Sequence, residues 1–271
     1  TVTMDFKHEM KVSKKIKYKV SRYRWYSFLK MQKKVAPSIK RIITPSESSK
    51  NGIIEDLNCK NTNITVINNG LDTDEFSPIK GTERNKFRLI TTASADVPLK
   101  GLDYTLKALN ILKNDFPEIQ LIIIGSLKKG GHTQKLIKKL NLEQYIIFKT
   151  NISKKEIKEL YAESSIAIVS SLYEGFGYPV IEAMSCEVPL IATNVSSIPE
   201  LTSKYALLVD PKNSEMISAG VKDILSNYEK YKKIAIHGRQ HVVKNFNWIK
   251  ITRKYENIIF KTIREFKNVD V

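Results

Sequence analysis

Residues 166–184, IAIVSSLYEGFGYPVIEAM, join an apolar run to a helical pattern through a loop that contains two glycines. The run IAIVSS is short and mostly apolar, as in a strand that is buried on both faces of a parallel sheet. Gly175 and Gly177 permit tight backbone geometry, and Pro179 suits the first turn of a helix. The stretch therefore predicts a buried strand, a glycine loop and a helix that begins at about Tyr178.

The same alternation of apolar strands and amphipathic helices extends from Phe87 to beyond Asn213. The predicted strands are FRLITTA, IQLIIIG, YIIFKT, IAIVSS, PLIATN and ALLVD. The segments between them predict helices, among them LDYTLKALNILKND, SKKEIKELYAES and a short IPEL turn, and helices alone are predicted beyond Tyr228. This pattern is typical of a doubly wound α/β domain, in which ligands bind at the carboxyl ends of parallel strands.

The residues before this domain resemble the end of a second βα domain. Residues 1–67 predict a short strand, a basic and aromatic helix containing RWYSFLKMQKKVAP, a strand RIITPS, a helix SSKNGIIEDL and a strand ITVINN. The segment NNGLDTDEFSP that follows is rich in Asn, Gly, Asp and Pro, which predicts a linker. We therefore divide the chain into a partial Rossmann-like domain over residues 1–70, the larger Rossmann-like domain over residues 71–247 and a closing helix over residues 248–271.

The basic charge lies at the two ends of the chain. Residues 1–41 contain 13 Lys/Arg against 2 Asp/Glu, residues 228–271 contain 11 against 4, and the remaining residues contain 21 against 22. The net charge of +17 would suit nucleic acid or an anionic surface, but it also fits solvated helix faces rich in lysine. Because no recognition motif accompanies the charge, we expect no nucleic-acid partner.

Composition and cysteine content indicate a globular chain in a reducing compartment. Of the 271 residues, 42% are hydrophobic and 27% are charged, and the sequence has neither a run of about 18 apolar residues nor a secretion signal. Cys59 and Cys186 lie far apart and outside any C-x-x-C pattern, which argues against a disulfide framework and a zinc site. We therefore expect a cytoplasmic protein.

Two carboxylates, Glu174 and Glu182, flank the predicted start of the helix. The N–H groups and positive dipole end of a helix N-terminus suit a phosphate, and the glycines would let a ligand approach the backbone closely. Glu174 would then lie in the loop and Glu182 about one turn into the helix, so hydroxyls on either side of the phosphate could donate to them. Because such spacings are common, the spacing alone favours a Glu174 that caps the helix dipole and an ordinary surface Glu182.

The longer phrase EGFGYPVIEAMSCEVPLIAT resembles the signature of retaining glycosyltransferases of family 4, of GT-B type. That signature is roughly E-G-F-G-x-P-x-x-E-A-M followed by a strand of the form P-[LIV]-[IV]-A/S-T. Other matching phrases follow in the same order, namely IITPSESSK, ITVINNGLDTDEFSP, the KG of Lys100 and Gly101, IIIG, ISKKEIKELYAESSIAIVSS and FNWIKITRKYENI. The resemblance spans nearly all of the chain. It implies a GT-B donor domain preceded by the last part of an acceptor-side domain, most of which we expect to be missing.

The resemblance implies transfer of a sugar from a nucleotide-diphosphate donor to an acceptor, with retention at the anomeric carbon and without a metal or other cofactor. Lys100 would meet the donor phosphates, Glu174 the sugar hydroxyls and Glu182 the ribose. The other expected donor contacts are Ser94, Asn151, Ile152, Gly175, Phe176, Gly177 and Tyr178. The family commonly places an arginine shortly before the lysine, whereas TTASADVPLKG has Ala95 there. Ser94 could donate a hydrogen bond in its place, as in a SADVPLKG-type variant.

Three other patterns suggest different chemistry but have simpler interpretations. The D-x-D at residues 72–74 lies in a linker phrase, so we interpret it as a turn. The phrase GSLKKGGH lacks the Lys-Ser/Thr ending of a phosphate loop and predicts a strand-to-helix turn. His237 and His241 lie four apart on a predicted helix, but no third ligand is evident. We expect no metal site.

The expected partners are a nucleotide sugar and a sugar, lipid-linked or glycan acceptor. In the resembled family the closing helix returns to the amino-terminal domain, so the two basic ends would share one face. Trp25, Tyr26 and Phe28 lie among the lysines of that face, which suggests docking on the anionic inner surface of the cell membrane. Two alternatives stay open at this point. One is a fragment that binds a nucleotide sugar without turnover, and the other is a basic nucleic-acid-binding protein.

Overall fold

The structure is a computed structural model that describes residues 16–94 and 96–267. These residues form two compact units, which divide between Asn68 and Asn69. Ala95, where the resembled family has an arginine, lies outside the described residues, and so does the short strand predicted before the basic helix.

The first unit contains a small parallel β-sheet with helices. Its described elements are α1 (Ile16–Val35), β1 (Ile42–Thr44), α2 (Glu47–Leu57) and β2 (Ile64–Val66). The two strands pair in parallel, with Ile42 opposite Ile64. Helix α2 begins after Ser46, whose hydroxyl accepts a hydrogen bond from the Ser49 amide as an N-cap. The order of helix, strand, helix and strand is the predicted one.

The second unit is a six-stranded parallel sheet with helices on both faces. Its strands are β3 (Asn85–Thr92), β4 (Gln120–Ile124), β5 (Ile146–Lys149), β6 (Ser164–Val169), β7 (Leu190–Thr193) and β8 (Leu207–Val209). Its helices are α3 (Leu102–Asp115), α4 (His132–Lys139), α5 (Lys154–Glu163), α6 (Tyr178–Ser185), α7 (Ile198–Thr202), α8 (Ser214–Ser226), α9 (Tyr228–Asn245) and α10 (Trp248–Lys267). The doubly wound parallel sheet predicted from the alternating pattern is confirmed, and the predicted IPEL turn forms the one-turn helix α7.

The near-continuous apolar strands are explained by burial on both faces. All six residues of β6 are buried, and their side chains alternate between two hydrophobic clusters. Ile166 and Ile168 join the cluster that includes α3 and α8, whereas Ala167 and Val169 join the cluster that includes α6 and α9. A strand covered on both sides has no polar face, so the period-two pattern of a half-exposed strand is absent from β6.

The sheet has the strand order β5-β4-β3-β6-β7-β8, with every neighbouring pair parallel. The chain leaves the two central strands in opposite directions, from β3 through α3 to β4 and from β6 through α6 to β7. The loops after β3 and β6 therefore diverge and leave a crevice at the carboxyl edge of the sheet. Open α/β sheets bind their ligands at such a switch point.

The predicted linker packs against the second unit from Asn69 onward. Leu71 and Phe76 are buried in its hydrophobic cluster, and Leu71 forms a parallel bridge with Asn247. The D-x-D forms the predicted turn, because an Asp72 carboxylate oxygen accepts hydrogen bonds from the amides of the second and third residues after it, at 3.1 and 2.9 Å. These two hydrogen bonds also lower the pKa of Asp72.

Arg84 ties the end of α5, the start of β6 and the end of α6 together. Its guanidinium donates to the carbonyls of Tyr161 and Ser164, both at 2.7 Å. It also donates to the carbonyls of Cys186 at 2.9 Å and Glu187 at 3.1 Å, just beyond the last turn of α6. One partly buried side chain thus satisfies four backbone acceptors, two of them at a helix C-terminus that favours a cation.

Arg239 holds the same end of α6 from the opposite direction. It donates to the carbonyl of Ser185 at 2.6 Å and to those of Thr73 at 3.3 Å and Phe76 at 3.1 Å. Its Nε also lies 3.9 Å from the Glu187 carboxylate. Two cations therefore fix the C-terminal end of α6, and its N-terminal end lies at the carboxyl edge of the sheet because α6 follows β6 in the chain.

We predict that Arg84→Met lowers the free energy of unfolding by about 2–4 kcal/mol, because four carbonyls lose a charged donor while the methionine still fills most of the space. Arg253→Met on the exposed face of α10 is the matched control and should change stability by less than about 0.5 kcal/mol. Urea unfolding followed by far-UV circular dichroism measures both. Equal stabilities for the two variants would show that water replaces the guanidinium.

Candidate active site at the carboxyl edge of the sheet

Lys100 and Glu174 meet across the crevice from the loops after β3 and β6. Lys100 Nζ lies 2.7 Å from Glu174 Oε1. The Glu174 side chain is 10% exposed, whereas a third of the Lys100 side chain remains accessible. The sequence suggested that each residue would contact a different part of a ligand, and it gave no sign that they contact each other. The ion pair places a reachable cation and an ordered carboxylate at one point.

Two buried serines hold the loop that carries Glu174. The Ser171 hydroxyl donates to Glu174 Oε1 at 2.7 Å, so this oxygen accepts from a hydroxyl and an ammonium at once. The Ser197 hydroxyl lies 2.9 Å from the Glu174 carbonyl and 2.5 Å from that of Phe176. Neither serine was predicted from the sequence to belong to the site. Their signal was weak, because serines at the ends of apolar runs are common in turns.

The loop that carries Lys100 is fixed to the end of β6. The Leu172 amide donates to the Leu99 carbonyl at 2.7 Å, and the Ser170 hydroxyl donates to the Gly101 carbonyl at 3.0 Å. Gly101 has φ 63°, and a Cβ built there would lie 1.8 Å from the Ser170 carbonyl oxygen. Glycine is therefore required at this position. Its close packing against Ser170 holds the neighbouring Lys100 beside the end of β6.

The glycine loop leads into the N-terminus of α6. Gly177 precedes the first helical residue with φ 109°, and Tyr178 is 39% exposed. Phe176 is buried, and its ring packs edge-on against Tyr178 at 5.5 Å and Phe246 at 6.0 Å. The Phe176 side chain thus belongs to the hydrophobic core, and only its backbone is available to a ligand. Gly175 lies in the same loop.

Glu182 lies one turn into α6 and is partly buried. Its Oε2 is 3.4 Å from the Tyr161 hydroxyl. Burial raises the pKa of Glu182 to about 7, and the hydrogen bond from Tyr161 and the charge of Lys154 act in the opposite direction. The alternative of an ordinary surface glutamate does not fit this environment.

The other predicted contacts lie along the same edge of the sheet on different loops. Ser94 is exposed two residues after β3. Asn151 is exposed in the left-handed backbone region, with φ 55°, and Ile152 packs partly buried against the core next to it. Ser94 thus stands on the loop that also carries Lys100, and Asn151 and Ile152 stand on the loop after β5.

Within residues 16–94 and 96–267, no group of three or more His, Cys, Asp and Glu side chains is close enough to hold a metal ion. His241 packs instead against the rings of Tyr205 at 5.4 Å and Phe246 at 5.6 Å. The segment GSLKKGGH forms the predicted connection from β4 to α4.

Comparisons with known protein families agree with the pattern of the site. Residues 73–241 match the family described as Glycosyl transferases group 1, and residues 4–75 match Glycosyltransferase Family 4. The first match extends from the predicted linker, through the six-stranded sheet, to α9, and it includes Lys100, Glu174 and Glu182.

A similar protein is the MMP alpha-(1->4)-mannosyltransferase of Mycolicibacterium hassiacum, which is 32% identical over 243 residues. The aligned part is 89% of this chain and 58% of that protein. A glycosyltransferase of Methanocaldococcus jannaschii is 25% identical over 80% of this chain and 59% of its own length. The chain therefore spans less than two thirds of the length of these relatives.

Solved structures show the same fold. The glycosyltransferase from Rickettsia africae ESF-5 has a TM-score of 0.74 at 25% identity, over 86% of this chain and 66% of that one. Anabaena Alr3699/HepE, in complex with UDP and glucose, has a TM-score of 0.77 at 20% identity, over 86% of this chain and 66% of that one. These neighbours are GT-B glycosyltransferases, which confirms the predicted GT-B type fold.

We predict that Gly101→Ala destabilises the protein more than Gly81→Ala does. Both glycines have positive φ, so alanine at either costs about 1–2 kcal/mol of backbone energy. Only at Gly101 does the new Cβ also meet a backbone oxygen, which should add about 1–3 kcal/mol, since a Cβ at Gly81 has nothing within 4 Å. Urea unfolding of the two variants measures the difference, and equal losses would contradict the packing of Gly101 against Ser170.

Proposed function

The chain belongs to the family of group 1 glycosyl transferases, and we propose that it transfers a sugar from a nucleotide-diphosphate donor to an acceptor with retention at the anomeric carbon. The observation that carries the proposal is the Lys100–Glu174 ion pair at the switch point, beside the glycine-capped N-terminus of α6. The activity named for the Mycolicibacterium relative and the UDP and glucose bound in the Anabaena structure support a hexosyl donor of this type.

Lys100 is proposed to stabilise the departing diphosphate. Negative charge on that group grows as the bond to the sugar breaks, so a fixed ammonium stabilises the transition state more than the ground state. The N-terminal N–H groups of α6 and its dipole add positive potential at the same place. Since these groups supply the positive charge, the proposed reaction needs no metal.

Glu174 is proposed to accept hydrogen bonds from sugar hydroxyls. Its carboxylate is buried, and a buried charge is unfavourable without partners. When a diphosphate draws Lys100 toward itself, Glu174 keeps the Ser171 hydroxyl but loses part of its ion pair. Sugar hydroxyls can replace the ammonium as donors, so phosphate binding and sugar binding support each other.

Glu182 is proposed to accept hydrogen bonds from the ribose hydroxyls. Asn151 and Ile152, after β5, are proposed to meet the base through their backbone. Ser94 is proposed to donate to a phosphate in the position where the family has an arginine. The remaining contacts proposed for the donor are the backbone of Gly175, Phe176 and Gly177 and the exposed Tyr178.

The proposed acceptor is a lipid-linked or glycan hydroxyl in cell-envelope synthesis, reached from the cytoplasmic side of a membrane. Trp25 and Phe28 on α1 are each about half exposed, at 47% and 45%, on a helix whose sequence contains many lysines and arginines. Exposed aromatics among basic residues suit the interface of an anionic membrane. Among the described helices, none is long and apolar enough to span a membrane.

We predict that Glu174→Gln separates phosphate binding from sugar binding. Removing the carboxylate charge breaks the ion pair that otherwise competes with the diphosphate for Lys100. A nucleoside diphosphate should therefore bind about as tightly as to wild type, or up to ~10-fold tighter. The additional affinity of the matching nucleotide sugar should fall ~10-fold or more. Calorimetric titration with uridine and guanosine diphosphates and their sugars measures both, with Glu163→Gln on α5 as the control.

The opposite result would count against the proposed roles. If Glu174→Gln weakened the diphosphate and left the sugar contribution intact, Glu174 would support the phosphate and not the sugar. If none of these nucleotides bound the wild-type chain, the proposed donor would be wrong.

We predict that the protein sediments with anionic vesicles at low salt and is released at high salt, since each basic residue near such a surface contributes about 1 kcal/mol and is screened by salt. Replacing Trp25 and Phe28 by serine should weaken the attachment, whereas Met216→Ser on α8 should not. Failure to sediment even at low salt would leave the basic residues as solvated surface and favour a soluble acceptor.

A further inference from the structure

A buried tyrosine hydroxyl lies between the end of β3 and helix α6. Tyr161 on α5 is 2% exposed, and its ring belongs to the hydrophobic cluster beneath α6. Its hydroxyl is 3.4 Å from Thr92 Oγ1 at the end of β3 and 3.4 Å from Glu182 Oε2 on α6. A buried phenol normally has a hydrogen-bond partner, and this one has a hydroxyl on one side and a carboxylate on the other.

We infer that Tyr161 is a positioning residue for nucleotide binding, because its hydroxyl donates to Glu182 and holds that carboxylate in place to receive the ribose. The inference rests on the proposed function, in which Glu182 accepts from ribose hydroxyls. Tyr161 itself does not touch the nucleotide in this arrangement. It acts through Glu182, and Thr92 donates in turn to the phenol oxygen.

The position of the phenol oxygen is fixed by contacts of the Tyr161 backbone and of its ring. The Tyr161 carbonyl accepts from Arg84 at 2.7 Å, and the ring is packed on all sides within the core. A phenylalanine would fill the same space and keep the backbone contact, so the hydroxyl can be removed with little change in packing. The packing of the ring and the function of the hydroxyl are therefore separable.

The groups around Glu182 set its pKa, so the effect of Tyr161 can be measured as a change in that pKa. Burial raises its pKa to about 7, and Tyr161 and Lys154 on α5 oppose this rise. Lys154 is itself paired with Glu75 at 2.8 Å. Within the described part of the chain, the other titratable groups that interact with Glu182 are Tyr178 on its own helix and Cys186 just after that helix, and burial raises the pKa of both, so they are neutral near pH 7.

The sign of the pH dependence follows from these contacts. A carboxylate can accept from two ribose hydroxyls, whereas a protonated carboxyl loses one acceptor site, so nucleotide affinity should rise as pH increases through about 7. Tyr161→Phe removes a donor that stabilises the charged form, so the pKa of Glu182 should rise further. The midpoint of the affinity curve should move to higher pH.

The test measures the dissociation constants of uridine and guanosine diphosphate from about pH 5.5 to 9 for the full chain and its variants. We expect Tyr161→Phe to shift the midpoint upward by about 0.5–1 pH unit and to weaken binding ~2–5-fold near pH 7, with a smaller difference at pH 9. Tyr231→Phe is the matched control. Tyr231 is also buried and donates to a carboxylate, that of Asp223, and it should leave both quantities unchanged.

A second readout does not depend on the nucleotide. Carbon-13 NMR of the ligand-free protein, with Glu182→Gln to assign the resonance, gives the pKa of Glu182 directly, and it should be higher in Tyr161→Phe than in wild type. If that variant does not fold, Thr92→Val can be used instead, since it removes the hydroxyl that is hydrogen-bonded to the Tyr161 phenol. It should shift the pKa of Glu182 in the same direction by less.

The outcomes distinguish this inference from the proposed function. If wild type binds a nucleotide and Tyr161→Phe has the same midpoint and the same pKa of Glu182, the inference is wrong and the proposed function stands. If wild type binds neither nucleotide at any pH, the proposed function is wrong and the inference falls with it. A shift in Tyr161→Phe that is absent in Tyr231→Phe supports the inference.

Discussion

The adjacency of β3 and β6 in the centre of the sheet is the constraint on which the rest of the site depends. Strands that the chain leaves in opposite directions cannot share a covering loop, so a crevice forms where their carboxyl ends meet. Lys100 and Glu174 are far apart in sequence, yet they form an ion pair because each follows one of these two strands. The Leu172–Leu99 hydrogen bond and the packing of Gly101 on Ser170 fix the two loops to each other beneath the pair.

Contacts at both ends of helix α6 fix the direction in which its N-terminus points. Arg84 and Arg239 occupy the carbonyls at its C-terminal end, while Ser197 holds the loop before its N-terminus. These buried polar groups have partners, as the low dielectric of the interior requires. A helix fixed at both ends presents its positive dipole end to the crevice without having to reorganise, which is what stabilisation of a developing negative charge needs.

Much of the fold and part of the site could be predicted from the sequence. The six strands could be predicted because strands that are buried on both faces have short apolar sequences. Helix α3 extends from Leu102 to Asp115, as its sequence pattern predicts. The roles of Arg84, Ser197 and Tyr161 could not be predicted, because a polar side chain that bonds a distant carbonyl or carboxylate leaves no periodic signal. The D-x-D at residues 72–74 was correctly predicted to form a turn, but the burial of Leu71 and Phe76 depends on tertiary contacts that composition does not record.

The two glutamates of the motif differ in what faces them, and this difference bears on how such a site can work. Glu174 faces an ammonium and a serine hydroxyl, so its charge is compensated where the reacting groups would lie. Glu182 faces a neutral phenol, and burial raises its pKa to about 7. Two carboxylates on one loop and helix therefore respond differently to their surroundings. The first is held by a cation and a hydroxyl and the second by a phenol, so the motif presents two carboxylates of different acidity-determining surroundings on one loop and the helix that follows it.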